Sequence, residues 1–169
     1  MNMETIVVYQ SSTGFTKQYA EWIASDLQCK SYNLKEVTSS EIANADQVIF
    51  GGWVFGGMVN GLDKFLQLNP KKYIVFAVGS SPEEMIDKEA MKTQNHLENI
   101  PFFYMIGGLK WDKLNFMVKG MLKMMKKSLM KKEDKTPQEQ VMVERLGTSF
   151  DESDRKYIEP LVQYAESAS

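Results

Sequence analysis

Four segments of this chain are too apolar for strands with one wet face. Thr5–Gln10 reads TIVVYQ, Gln47–Gly51 reads QVIFG, Tyr73–Gly79 reads YIVFAVG and Ile100–Gly107 reads IPFFYMIG. Each is short and rich in β-branched or aromatic residues, and none alternates cleanly between apolar and polar. Strands of that kind are buried on both faces, as in a parallel sheet covered by helices on both sides. Lys30–Leu34 reads as a weaker strand in second position. Between them lie helical patterns. Gly14–Leu27 brings Tyr19, Ala20, Ile23, Ala24 and Leu27 to one face at spacings of three and four. Thr38–Ala45 is a polar turn or short helix, and Val59–Leu68 is helical by pattern up to Asn69-Pro70. In SSPEE, Ser81 suits a helix cap, Pro82 the first helical position and Glu84 the closing member of a capping box. A final helix is expected over about Ser153–Glu166. Alternating strands and helices with right-handed crossovers predict a doubly wound α/β fold with five parallel strands.

One segment interrupts the alternation. Between the fifth strand and the last helix, residues 109–147 carry Leu114, Val118, Met121, Leu122, Met125 and Leu129 on one helical face. Lys119, Lys123, Lys126 and Lys127 lie opposite. A second helix starts at Thr136-Pro137, with Glu139 at the box position, and stops at Gly147. The segment reads as a helical insertion into a single domain spanning 1–169. From Leu109 to Lys135 there are nine lysines and three acids, a net of +6; the whole chain carries −2, so the remainder carries −8. Two roles fit the basic helix. It can rest on an anionic membrane through Leu114 to Lys132, with Met and Leu dipping in and lysines reaching head groups. Alternatively, it packs its stripe on its own domain and shows its lysines to water. Met117, Met121, Met124, Met125 and Met130 suit an adaptable surface or a core equally well.

Composition removes several function classes. A net charge of −2, and a lysine block without interleaved aromatics, argue against nucleic acid. The single Cys29 allows no disulfide and no Cys-x-x-Cys pair, and with the single His96 it cannot build a His/Cys zinc site. Cys29 reads as a buried or edge residue and His96, in KTQNHLEN, as a surface residue. Without Gly-x-Ser-x-Gly there is no serine elbow. The N-terminus lacks a secretory pattern, and no apolar run approaches the ~18 residues of a membrane span. The expected location is cytoplasmic, or peripheral at the inner face of the membrane. No metal ligand and no proton-transferring catalytic residue is assigned.

The stretch SSTGFT, Ser11–Thr16, lies where the first strand gives way to the first helix. Four of its six residues carry hydroxyls, one is Gly14, and none is acidic. Ligands of open α/β sheets sit beyond such strand ends. Hydroxyls and helix-start amides, with roughly half a positive charge from the helix dipole, suit a phosphate. No Lys or Arg lies inside the loop, so hydrogen bonds would hold the anion, and one terminal phosphate fits better than a triphosphate. Neither Gly-x-x-x-x-Gly-Lys-[Ser/Thr] nor Gly-x-Gly-x-x-Gly occurs. A turn that merely caps the helix also fits these residues. After the third strand, Gly51, Gly52, Gly56 and Gly57 surround Trp53, Val54 and Phe55. Glycines admit a flat ligand closely and the aromatics can stack on it; a hairpin with its aromatics tucked into the core is the alternative. Gly79, Ser80 and Ser81 follow the fourth strand with further donors and acceptors. Together the three loops point to a planar aromatic ligand with a phosphate tail.

Val7-x-Tyr9-x-Ser11-x-x-Gly14-x-Thr16-x-x-x-Ala20-x-x-Ile23 resembles the flavodoxin signature at every specified position. The resemblance implies a flavodoxin-like sheet of order 2-1-3-4-5 and FMN as cofactor. It places Ser11, Ser12, Thr13, Gly14, Phe15 and Thr16 around the phosphate. Gly52, Trp53, Val54, Phe55 and Gly56 would cover one side of the isoalloxazine, and Gly79, Ser80 and Ser81 would reach its other edge. In addition, IGGLKWDKLNFMVKGMLKMMKK is similar to the late insertion of bacterial menaquinone-dependent protoporphyrinogen oxidases. That similarity implies a porphyrinogen substrate and a quinone acceptor. The loop GGWVFGGMVNG departs from that family, whose loop is less glycine-rich and carries a basic-aromatic pattern, so the substrate stays open. The other function is that of an electron-transfer protein that docks to a redox partner and takes no small substrate. The insertion favours the enzyme, because a carrier needs only an exposed flavin edge.

Overall fold

The computed structural model describes residues 3–168. In chain order the elements are β1 (Thr5–Gln10), α1 (Phe15–Leu27), β2 (Lys30–Asn33), α2 (Ser39–Asn44), β3 (Gln47–Phe55), β4 (Met58–Val59), α3 (Leu62–Leu66), β5 (Tyr73–Gly79), α4 (Lys88–Gln94), β6 (Phe102–Ile106), β7 (Gly108–Leu109), α5 (Phe116–Met130), α6 (Pro137–Arg145), β8 (Phe150–Asp151) and α7 (Glu159–Ser167). Five strands pair in parallel in the order β2-β1-β3-β5-β6. With the two-residue β4 set aside, that is the expected order 2-1-3-4-5.

Both parities of the strands are buried, which explains the missing alternation. Ile6, Val8, Val48, Phe50, Val75 and Ala77 face Ile42, Leu62, Phe65 and Met91 of α2, α3 and α4. Val7, Tyr9, Ile49, Phe76, Val78 and Met105 face Tyr19, Ala20 and Ile23 of α1 and Leu161, Val162 and Ala165 of α7. The central strands are packed too tightly for a side chain at Gly51. A Cβ there would lie 2.0 Å from Phe76 Cζ.

Several boundaries differ from the sequence reading. The third strand does not end at Gly51; it continues to Phe55 and folds back antiparallel onto β4 through Val54↔Val59 and Phe55↔Met58. The residues expected in a glycine-rich loop are therefore strand residues. Because β4 takes Met58 and Val59, the helix expected from Val59 shrinks to the five residues of α3. The Ser81 capping box does not form. Pro82 is extended, a 3-10 turn covers Glu83–Met85, and the helix begins only after Asp87, whose carboxylate accepts from Ala90 N–H at 3.0 Å. The last helix starts at Glu159, preceded by a 3-10 turn over Arg155–Ile158 that Asp154 caps.

The insertion is held at its neck by β7 and β8, paired antiparallel through Gly108↔Asp151 and Leu109↔Phe150. Trp111 N–H to Ser149 Oγ at 2.9 Å adds to the closure. Asn115 caps α5, and Thr136 and Glu139 form the expected capping box on α6. The predicted stripe on α5 is only partly used: Leu122 is buried, while Met121 and Met125 stay exposed.

Gly51→Ala should destabilise the protein by about 2–3 kcal/mol, the cost of overpacking an unyielding core. Urea unfolding followed by far-ultraviolet circular dichroism measures it. A change below ~0.5 kcal/mol would mean that the sheet gives way around Phe76 more easily than its packing indicates.

Candidate functional site

β1 and β3 are neighbours whose chains depart to opposite sides, β1 to β2 and β3 towards β5. Their carboxyl ends, with that of β5, open onto a cleft of about 330 Å³. The cleft lies at the topological switch point where open α/β sheets take ligands.

The first wall is the loop into α1. Ser11 Oγ accepts from Gly14 N–H at 3.1 Å, and Gly14, at φ 107°, turns the chain into the helix. Side chains cap α2, α4, α5 and α6, but none caps α1, and its first turn holds no acid. Helix-start amides point out of the helix end and need acceptors. Ser11, Ser12, Thr13, Phe15 and Thr16 line the cleft at that end. This donor set fits a phosphate.

The second wall is the β3–β4 hairpin. Trp53 and Phe55 project on the same side, edge to face with centroids 6.0 Å apart. Both are half-buried and belong to neither core cluster, whereas Val54 packs against the core from the other side. Gly56 and Gly57, at φ 60° and 80°, make the two-residue turn that such a hairpin requires. The hairpin is pinned from α4. Gln94 Nε2 donates to Gly56 O at 3.0 Å. The buried Asn95 donates from Nδ2 to Gly57 O at 2.9 Å and Met91 O at 2.8 Å, and its Oδ1 accepts from Val59 N–H at 2.9 Å.

The third wall is Gly79, Ser80 and Ser81. Tyr104 Oη donates to Ser81 O at 2.7 Å. Burial pushes its phenol well above the usual range, so it stays a donor at neutral pH. Arg145 Nη1 donates to Ser80 O at 3.2 Å, while its other nitrogen pairs with Glu152 and its guanidinium lies 4.5 Å from the Phe150 ring centre. Those two carbonyl contacts hold Ser80 and Ser81 at the cleft, in place of the helix start expected there.

The insertion supplies a roof. Leu114, Val118, Leu122 and Met125 of the α5 region, with Met142 and Leu146 of the α6 region, complete the lining. Lys126 Nζ donates to Leu146 O at 3.0 Å and ties the two helices. Among the described residues, no Asp, Glu, Lys or Arg lines the cleft. Lys110 stands at its edge by the first wall, its Nζ 4.8 Å above the Phe15 ring centre.

Of the residues expected at the site, Gly14 and Gly52 do not line the cleft. Gly14 shapes the turn, and Gly52 gives room to the hairpin, since a Cβ there would lie 2.2 Å from Asn60 O. The others surround one space. Asn95, Tyr104, Lys110 and Arg145 carry no local motif; only the fold brings them here. Elsewhere, His96 is exposed at φ 57°. Cys29 is half-buried, and burial pushes its thiol up to about 11, so it is not a thiolate at neutral pH. No group of His, Cys, Asp or Glu among the described residues can hold a metal ion, and no described helix is long and apolar enough to cross a membrane.

Asn95→Leu should cost about 2–4 kcal/mol, because it strands one buried donor and two carbonyls. It should also free the hairpin: hydrogen exchange at Val59 and Asn60 should accelerate more than at the β1 and β5 amides. Uniform acceleration would show that Asn95 stabilises the whole domain rather than the aromatic wall.

The flavodoxin domain family matches residues 6–136 of the chain. No curated protein matches it. Similar solved structures include a flavodoxin from the domain Archaea, 20% identical over 62% of this chain and 83% of that one, with a TM-score of 0.46. A flavoprotein in complex with FMN from Lactobacillus acidophilus NCFM is 18% identical over 62% and 93%, with a TM-score of 0.44. Oxidised flavodoxin 2 from Bacillus cereus is 19% identical over 61% and 84%, also at 0.44. By the family match, which takes in the phosphate-suited loop, the aromatic hairpin and the whole of the insertion's first helix, the chain belongs to the flavodoxin domain family.

Proposed function

We propose that this protein binds FMN in the roofed cleft and acts as an oxidoreductase on a small, flat, apolar molecule. When bound, FMN supplies the electron and hydride chemistry. The chain's own residues bind, orient and exclude water. Uncapped α1 amides and the hydroxyls of Ser11, Ser12, Thr13 and Thr16 suit the phosphate, Trp53 and Phe55 suit one ring face, and the Ser80–Ser81 backbone suits a ring edge. The observation that carries the enzyme reading is the roof. A carrier passes electrons to a protein through an open ring edge, but Leu114, Val118, Leu122 and Met142 cover this cleft with apolar surface. Such a wall suits a quinone better than a protein surface. A porphyrinogen as electron donor rests on the insertion's sequence similarity. The reading as a carrier that docks to a redox protein remains the second function to test.

The outer side of α5 supports the peripheral membrane reading, and a bilayer is where an apolar quinone would be found. Phe116, Met117 and Met124 are 90%, 75% and 74% exposed, beside Lys119, Lys123 and Lys127. Apolar side chains flanked by lysines suit an anionic bilayer surface.

Purified protein should be yellow and release FMN on denaturation, and should turn over protoporphyrinogen IX with a menaquinone analogue. Bound FMN that reduces a redox protein rapidly while leaving both small molecules untouched would establish the carrier instead. At low salt the protein should sediment with anionic vesicles and not with neutral ones, and M117D/M124D should lower that binding at least tenfold. Equal retention of the double variant would remove the methionine face from the contact.

A further inference from the structure

We propose that Lys110, the residue at the neck of the insertion, is the cation of the phosphate subsite. The proposal rests on the FMN reading above and adds to it the charge that Ser11–Thr16 itself lacks. The ammonium lies at that loop. It is 3.5 Å from the position a Cβ on Gly14 would take and 4.8 Å above the Phe15 ring centre. Among the described residues, no carboxylate forms an ion pair with it. Its backbone is fixed on both sides. Gly108 and Leu109 before it pair with β8, and Trp111 after it is held by Ser149. The half-buried side chain thus returns to the start of α1 from nearly a hundred residues downstream.

The electrostatics favour such a cation. Outside the block from Leu109 to Lys135 the chain carries −8, so a phosphate dianion approaches an acidic body. Hydrogen-bond donors at α1 satisfy the oxygens without adding a full charge, whereas a lysine is a mobile point charge on a flexible stem. Resting over Phe15, it can move to a phosphate at the adjacent amides and hydroxyls without refolding. Lys110 would therefore discriminate FMN from riboflavin, and it would make closure of the insertion's neck part of cofactor binding.

Cofactor-free, folded protein is titrated with FMN and separately with riboflavin, following flavin fluorescence at low and high salt, for the wild type, K110Q and K110R. The expected result is a Kd for FMN raised roughly tenfold in K110Q at low salt, the worth of one partly exposed charge-assisted contact. Riboflavin binding should be unchanged, K110R should stay near wild type, and the K110Q effect should shrink in high salt. An unaltered FMN affinity in K110Q overturns the proposal. Equal weakening of FMN and riboflavin also overturns it, because Lys110 would then support the loop structurally. Wild-type protein that binds riboflavin as tightly as FMN removes the phosphate subsite, and with it the role of Lys110, while leaving a flavin site. Wild-type protein that binds neither flavin removes the FMN reading itself.

Discussion

A helix start without a side-chain cap, placed beyond the carboxyl edge of a sheet buried on both faces, conditions the rest of this molecule. The sheet must hide Ile6 and Val8 on one side and Val7 and Tyr9 on the other. Helices on both faces then force β1 and β3 to diverge above a crevice. Into that crevice α1 presents its first-turn amides beside Ser11, Ser12 and Thr13, with no acid to answer them. Side chains cap α2, α4, α5 and α6, whereas α1 starts without one and offers its amides to an anion at the cleft.

The insertion puts a partial roof over the crevice. A pair of two-residue strands closes its neck, Arg145 fastens its second helix to Ser80, and Lys126 fastens its two helices together. The roof is mostly apolar, and among the described residues none that lines the cleft is charged. Among the described residues no Asp or Glu lines the cleft, so apolar surroundings, rather than repulsion between like charges, would set the electronic environment of a flavin held there. The helix that forms the roof also presents an exposed methionine face and a row of lysines. One amphipathic element thus lines the cleft on one side and shows methionines and lysines on the other.

Much of this was legible in the sequence, for reasons that particular residues make plain. The parallel strands showed because double burial erases alternation, and the Thr136 box held because its capping partners are local. A hairpin was among the readings of this segment, but not the run of the third strand on to Phe55, because Gly52 looks like a loop residue; in the structure Gly51 and Gly52 are strand residues with no room for a side chain, against Phe76 and Asn60. Ser81 misled because its loop answers to Tyr104 and Arg145, which are far away in sequence and override a local cap. The α5 stripe was read as one face, but the domain covers Leu122 and leaves Met121 and Met125 exposed. Lys110 could not be assigned from spacing at all, since only chain crossing brings it to Gly14.

Phosphorus-31 nuclear magnetic resonance of the FMN complex is the most direct test. A free phosphate monoester takes up its second proton near pH ~6. Amides and hydroxyls at the start of α1 favour the dianion, so the folded site should hold that value below the free one. The bound resonance should therefore stay fixed between pH ~8 and ~5 while free FMN titrates. A bound resonance that titrates like the free one would put the phosphate in solvent and contradict the account.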